Sequence, residues 1–218
     1  MDGDEHVVRP GMVYISQSTE LGTIYNKSQL RDLYLTCQQQ GIYLFIDGAR
    51  LGYALAAPTC DTTAADIAAS CDVFTVGGTK MGALFGEAIV INNPALKKNF
   101  RHMIKHQGAL LAKGRLLGLQ FSTLMENGLY FQLGQHAVDQ AMRIRTALLE
   151  KKIPLHVDSP TNQLFPIFTD AQVEALEENF VLEFQERLDE NHVVLRICTS
   201  WATTDEQIEA LLAAIAQL

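Results

Sequence analysis

The sequence predicts an α/β fold that gives way, near residue 130, to a smaller α+β unit. Three observations carry this reading. Strand-length apolar runs alternate with segments of helical spacing through the first half of the chain. One of those runs, IYLFI at 42–46, is apolar throughout, which suits a strand covered on both faces of a parallel sheet. Beyond Pro94 the alternation stops, and helices are followed by grouped strands and a closing helix.

Taken in order, MVYIS at 12–16 reads as a short buried strand. SQLRDLYLTCQQQ places Leu30, Leu33, Tyr34 and Cys37 on one helical face, with Ser28 as N-cap and Gly41 as the stop. The strand at 42–46 ends in Asp47-Gly48-Ala49-Arg50. A short helix at 63–69 leads to a strand at 73–76 (VFTV), a Gly77-Gly78 turn and Lys80. The GEAIVIN run at 86–92 is a further strand, close enough to pair antiparallel with the one before it. Helices are expected at 95–105, 109–126 and 130–150, the last with Ala137, Ala141, Ile144 and Leu148 on one stripe. Pro154 and the SPTN turn break the pattern. A strand at 163–168, a helix at 170–177 and strands at 180–184 and 193–198 follow. Thr204 and Gln207 form a capping box for the last helix, whose buried stripe is Ile208, Leu211, Leu212 and Ile215. Two domains are expected, residues 1–130 and 131–218.

Bulk properties exclude several classes. The 218 residues are 48% hydrophobic and 19% charged, so the chain can bury a core. The net charge of −8 and the absence of a Lys/Arg block argue against nucleic acid and against an anionic membrane as partners. The start, MDGDEHVVRP, is polar and acidic, unlike a signal peptide, and no apolar run reaches spanning length. Cys37, Cys60, Cys71 and Cys198 show no CxxC or zinc spacing and read as reduced thiols of a cytoplasmic protein. His102 and His106 are spaced i, i+4 but lack a third ligand, so they read as a solvated helix face and no metal is expected.

Four residues stand out chemically. Lys80 lies among apolar and glycine residues, with no acid within six positions. A lysine in a dry pocket frees a nucleophilic amine that condenses with carbonyl compounds, whereas on an exposed turn it is a solvated charge. The flanking glycines would let a bulky group approach the backbone. Asp47 ends an apolar strand, where an acid is costly unless paired; it can hold a proton on a ring nitrogen or simply pair with Arg50. Arg50 can take a carboxylate in a two-pronged contact. Arg196 interrupts the apolar VVLRIC strand, and either alternation turns it to solvent or it reaches into a cleft.

IDGARL followed by DVFTVGGTKMGALFGEAIV resembles the threonine aldolase and β-eliminating lyase family of fold-type-I pyridoxal-phosphate enzymes. HVVRPGMVYISQSTELGTIY, KHQGALLAKGRLLGLQF and VLRICTSWATTDEQI extend the resemblance over essentially the whole chain. It implies part of a large aspartate-aminotransferase-like mixed-sheet domain plus a small C-terminal α+β domain. It places the family's Schiff-base lysine on Lys80, the partner of the pyridine nitrogen on Asp47, and the substrate-carboxylate arginines on Arg50 and Arg196. Lys113, in the stretch after Gly108, matches loosely the basic residue sent to a neighbouring subunit's cofactor phosphate.

By the same resemblance the cofactor is pyridoxal 5'-phosphate. The reaction is cleavage of Cα–Cβ in a β-hydroxy amino acid, threonine giving glycine and acetaldehyde, in a homodimer or homotetramer. A related lyase eliminating a β-substituent is the alternative chemistry. The family's phosphate loop and stacking ring precede the matching segment, and His6 does not stand in for that ring. The chain therefore reads as the C-terminal two-thirds of such an enzyme: a fragment, half of a split enzyme, or a non-catalytic remnant.

Overall fold

The computed structural model describes residues 6–218, so the first five positions of the acidic start and of the first expected domain lie outside the described residues. Strand β1 (Met12–Ser16) leads through a loop to helix α1 (Lys27–Gln40). The α1 cap is Asn26 rather than Ser28. Its side chain accepts from Gln29 N–H while Gln29 accepts from the Asn26 N–H, a reciprocal pair that Ser28 does not form. Gly41, at φ 67°, ends the helix in the left-handed conformation that glycine adopts without penalty.

Strand β2 (Tyr43–Asp47) runs one residue further than its apolar core, so that Asp47 is its last residue. Helix α2 (Leu51–Ala56), six residues long and uncapped, was not visible as a helical pattern. Helix α3 (Ala64–Ala69), strand β3 (Val73–Gly77), a 3-10 turn at Thr79–Met81 and strand β4 (Glu87–Ile91) follow. The sheet order is β1-β2-β3-β4, with the first three strands parallel and β4 antiparallel to β3, as expected. Leu30, Leu44, Ile46, Ile67, Phe74 and Met81 form its core.

The segment after β4 is more broken than its composition suggests. A 3-10 turn at Pro94–Lys97 ends before α4 (Phe100–His106), because Asn99 adopts φ 60°. Helix α5 (Arg115–Met125) begins after Gly114, six residues later than expected. Gly108, at φ 72°, and the loop around it displace the start. Helix α6 (Leu129–Glu150) then spans the molecule: Ala137 and Val138 belong to the first core, Ala141, Ile144 and Leu148 to a second.

That second core lies under a small antiparallel sheet. The expected strand at 163–168 is two strands, β5 (Gln163–Leu164) and β6 (Ile167–Thr169), interrupted at Pro166, which has no N–H to give a ladder. Helix α7 (Asp170–Glu177) separates β6 from β7 (Glu183–Arg187) and β8 (His192–Cys198). Strand β8 is central, with β5 and β6 on one side and β7 on the other. Strand β7 lies three residues beyond the expected 180–184. Phe180 and Leu182 pack against the core as a loop, while the exposed EFQER segment makes the edge. Helix α8 (Asp205–Gln217) closes the chain under the predicted Thr204–Gln207 box.

Candidate active site

The two loops that follow β2 and β3 are stitched together, and that junction builds the site. Gly77 N–H donates to Gly48 O at 2.9 Å, and Gly48 N–H donates to Thr75 Oγ1 at 2.9 Å. A Cβ on Gly48 would lie 1.9 Å from Thr75 O, and one on Gly77 would lie 2.5 Å from Ala49 O. Both glycines are therefore demanded by backbone packed on backbone. The glycines before Lys80 serve chain packing instead of leaving room for a bulky group: Gly77 faces Ala49, and Gly78 faces Gly86 and Phe121. The consequence is geometric. Asp47 and Lys80 sit at the carboxyl ends of neighbouring parallel strands, the edge at which open α/β sheets form binding crevices.

Asp47 is half-buried. Ala49 N–H donates to its Oδ1 at 2.8 Å, and the Tyr14 hydroxyl donates to its Oδ2. Tyr14 stacks on Phe45, its neighbour in the β1–β2 register, at 5.2 Å between ring centres, which aims the phenol along the strand toward Asp47. That hydrogen bond, with burial adding to it, pushes the Tyr14 phenol up to about 12. Arg50 does not pair with Asp47, which settles one alternative left open by the sequence: its Nη1 lies 2.8 Å from Glu20 Oε1.

Lys80 is exposed on the cleft wall rather than enclosed in a dry pocket. Its backbone is fixed from below. The buried Tyr53, from α2, donates its hydroxyl to Lys80 O, and burial pushes that phenol up to about 12. Helix α2 in turn sits tightly on α6 because Gly134, without a side chain, lets the Gly52 backbone approach. Gly52 itself faces Met81 and the Tyr130 ring, and Tyr130 OH accepts from Gly52 N–H at 3.2 Å.

A cleft of about 310 Å³ gathers Lys80, Arg50 and Arg196, together with Tyr53, Thr79 and Trp201. Arg196 does not follow strand alternation out to solvent. Its side chain is only 23% exposed and pairs with Glu183, its cross-strand neighbour on β7. That hydrogen bond holds the Glu183 carboxyl below its usual range. Asn162, Cys198 and Thr199 complete the wall. Burial pushes the Cys198 thiol up. Lys113 lies elsewhere, exposed in the segment between α4 and α5, and lines no part of this cleft.

Tyr53, Asn162 and Glu183 were not legible as site residues. Tyr53 lies in the unrecognised α2, Asn162 in a turn read only as a chain break, and Glu183 at a strand edge. The four cysteines are unpaired, His102 and His106 are exposed on α4, and no cluster fit to hold a metal occurs among the described residues. No helix among them is long and apolar enough to cross a membrane.

The α/β fold built on this mixed sheet is that of fold-type-I pyridoxal-phosphate enzymes. The chain belongs to the beta-eliminating lyase family, whose pattern matches residues 1–179. It is 30% identical over 213 residues to a low specificity L-threonine aldolase of Pseudomonas sp. (strain NCIMB 10558), covering 97% of this chain and 61% of that protein. A solved threonine aldolase of Leishmania major is 44% identical and superposes with a TM-score of 0.96 over 99% of this chain and 63% of its own. A serine palmitoyltransferase from S. paucimobilis, solved with bound PLP-myriocin, shares the fold alone. It is 14% identical, with a TM-score of 0.66 over 94% of this chain and 54% of its own. The chain thus spans about three-fifths of the length of the aldolases it matches.

Proposed function

We propose that this chain carries the lysine side of a pyridoxal-phosphate site in a threonine-aldolase-type lyase acting on β-hydroxy amino acids. The observation that carries the proposal is the Gly48–Gly77 junction, which brings the Asp47 loop and the Lys80 turn into contact beside Arg50 and Arg196. The relatives named above favour an aldolase over a β-substituent eliminase.

The residues present fit the cofactor. Each Asp47 oxygen has one described hydrogen bond and so keeps acceptor capacity for a pyridinium N–H. Among the described residues no hydrogen bond or ion pair ties Lys80 Nζ, which leaves that amine available to a carbonyl. Lys113 lies outside this chain's cleft, so a phosphate contact from it falls to the cleft of a second copy, in a homodimer or homotetramer.

Bound pyridoxal phosphate supplies an electron sink for the pair released at Cα. Asp47 holds the ring-nitrogen proton that makes the sink effective, and Tyr14 fixes the carboxylate that does so. Arg50 and Arg196 bind the substrate carboxylate, which decides which bond at Cα is aligned to break. Lys80 Nζ would be the amine that condenses with the cofactor's carbonyl group, with water as the leaving group.

The test is to saturate the chain with pyridoxal phosphate, add L-threonine and measure products. Glycine and acetaldehyde in equal amounts, lost in Lys80→Ala, support the reading. 2-Oxobutanoate and ammonia, the products of eliminating the β-hydroxyl, or no product at all, contradict it.

A further inference from the structure

Both arginines assigned to the substrate carboxylate already hold a carboxylate. Arg50 is on Glu20, and Arg196 is on Glu183. The glutamates are the exposed members of these pairs: their side chains are 74% and 60% exposed, against 13% and 23% for the arginines. A half-buried guanidinium needs a counter-charge, and an exposed acid on an edge strand can provide one and withdraw at small cost.

Two further observations concern Arg196 alone. Its Nε–H is buried and unpartnered, although Nη2 is on Glu183. On the same cleft wall, Asn162 is 5% exposed and its Oδ1 is also buried and unpartnered. The Asn162 amide is not free to flip, because Nδ2 donates to Thr199 O at 2.7 Å. Oδ1 is therefore the acceptor. A buried donor and a buried acceptor left unmade in one cleft are costly, and native proteins leave few of them.

We infer that Arg196 has two stations. It rests on Glu183 when the cleft is empty; when an amino-acid carboxylate enters, it leaves Glu183 and its Nε–H takes Asn162 Oδ1. Glu183 and Asn162 are then positioning residues that set the carboxylate affinity of the cleft. Glu183 competes with the ligand for the guanidinium, and Asn162 holds the guanidinium in the engaged direction. No covalent step is involved, and one carboxylate replaces another, so the charge on Arg196 stays compensated throughout. The inference rests on the assignment of Arg196 to the substrate carboxylate, but it does not require bound cofactor.

The test uses the whole chain without cofactor, at low salt, with glycine as the probe. Arginine Nε–H signals are followed by proton–nitrogen correlation NMR, and Arg196 is assigned by Arg196→Lys. In the wild type, glycine should move the Arg196 signal to the frequency of a hydrogen-bonded Nε–H. Glu183→Gln, an exposed change that leaves the fold intact, should bind glycine roughly two- to five-fold more tightly, the range for releasing an exposed ion pair. Asn162→Ala, checked for folding by its melting curve, should lose the glycine-induced Nε–H shift and weaken binding about tenfold. Asn162→Ser, which restores an acceptor, should recover part of the shift.

Unchanged or weaker glycine binding in Glu183→Gln overturns the inference. So does an Arg196 signal that glycine leaves in place, or a full shift in a folded Asn162→Ala. Cofactor uptake is measured separately. Tighter glycine binding in Glu183→Gln with no uptake sinks the aldolase reading and spares this one; uptake with no effect of Glu183→Gln does the reverse.

Discussion

Gly77→Ala strikes the junction on which the site depends. The added Cβ would sit 2.5 Å from Ala49 O and 2.7 Å from its C and Cα atoms, all backbone, so no side chain can swing away to relieve it. Ordinary contact needs about 3.4 Å, which forces the Asp47-Gly48-Ala49-Arg50 loop off β3 by close to an ångström. That movement breaks the Gly77–Gly48 hydrogen bond and strains the Gly48–Thr75 one. At about 1 kcal/mol for each bond and about 1–2 kcal/mol for overpacking, the variant should lose about 3 kcal/mol of stability. The assay is urea unfolding, with a lower midpoint at unchanged slope. Asp47 moves with the loop, and a 1 Å misplacement of a reacting geometry costs on the order of a hundredfold, so the threonine cleavage proposed for this chain should fall by about that factor. Gly118→Ala is the control. A Cβ there meets nothing within 4 Å, and its exposed position on α5 should gain about 0.5–1 kcal/mol. A Gly77→Ala midpoint equal to wild type would refute the claim that backbone contact fixes the two loops.

Three other outcomes follow from the same geometry. Tyr53→Phe removes the donor to Lys80 O and should cost about 1–2 kcal/mol by urea unfolding, since it leaves a backbone acceptor unmade. Asp72→Ala removes the buried acceptor shared by Leu44 N–H and Asn93 Nδ2, each at 2.8 Å, and should cost about 3 kcal/mol in the same assay. Tyr14 should ionise near pH 12 by ring-carbon NMR, and Asp47→Asn should bring it back toward 10. The sign follows from the raised folded value: the Tyr14 contribution is fully present below pH 10 and is lost as pH rises from 10 through about 12.

The sheet was legible because its strands are short, apolar and punctuated. The run at 42–46 and VFTV at 73–76 suited strands, although β2 is buried on one face only, with Leu44 and Ile46 inside and Tyr43 exposed. Strand β4 was close enough to β3 to be its antiparallel neighbour. The Thr204 box gave the last helix from local chemistry alone. What failed was decided at a distance. Helix α2 has six residues and no capping side chain, and it is held by packing, with Gly134 of α6 leaving room for the Gly52 backbone. Strand β7 carries no apolar signature, because it is an edge held by pairing with β8.

The same division runs through the site. Lys80, Asp47 and Arg196 stand out locally, but each also has a structural reading, and only the resemblance joins them with Arg50. The cleft gathers the lysine and both arginines, with Asp47 at the end of β2 beside it. Tyr53 under Lys80, Glu20 on Arg50 and Glu183 on Arg196 are set by the fold, and no local pattern marks them.

The central claim is that Lys80 is the amine that holds the cofactor. Incubating the chain with pyridoxal phosphate, reducing with borohydride and mapping the product by peptide mass spectrometry tests it directly. The account predicts a single pyridoxyl group on Lys80, abolished in Lys80→Arg and weakened in Asp47→Asn. Labelling spread over surface lysines such as Lys97, Lys105 and Lys113, or undiminished in Lys80→Arg, would contradict it.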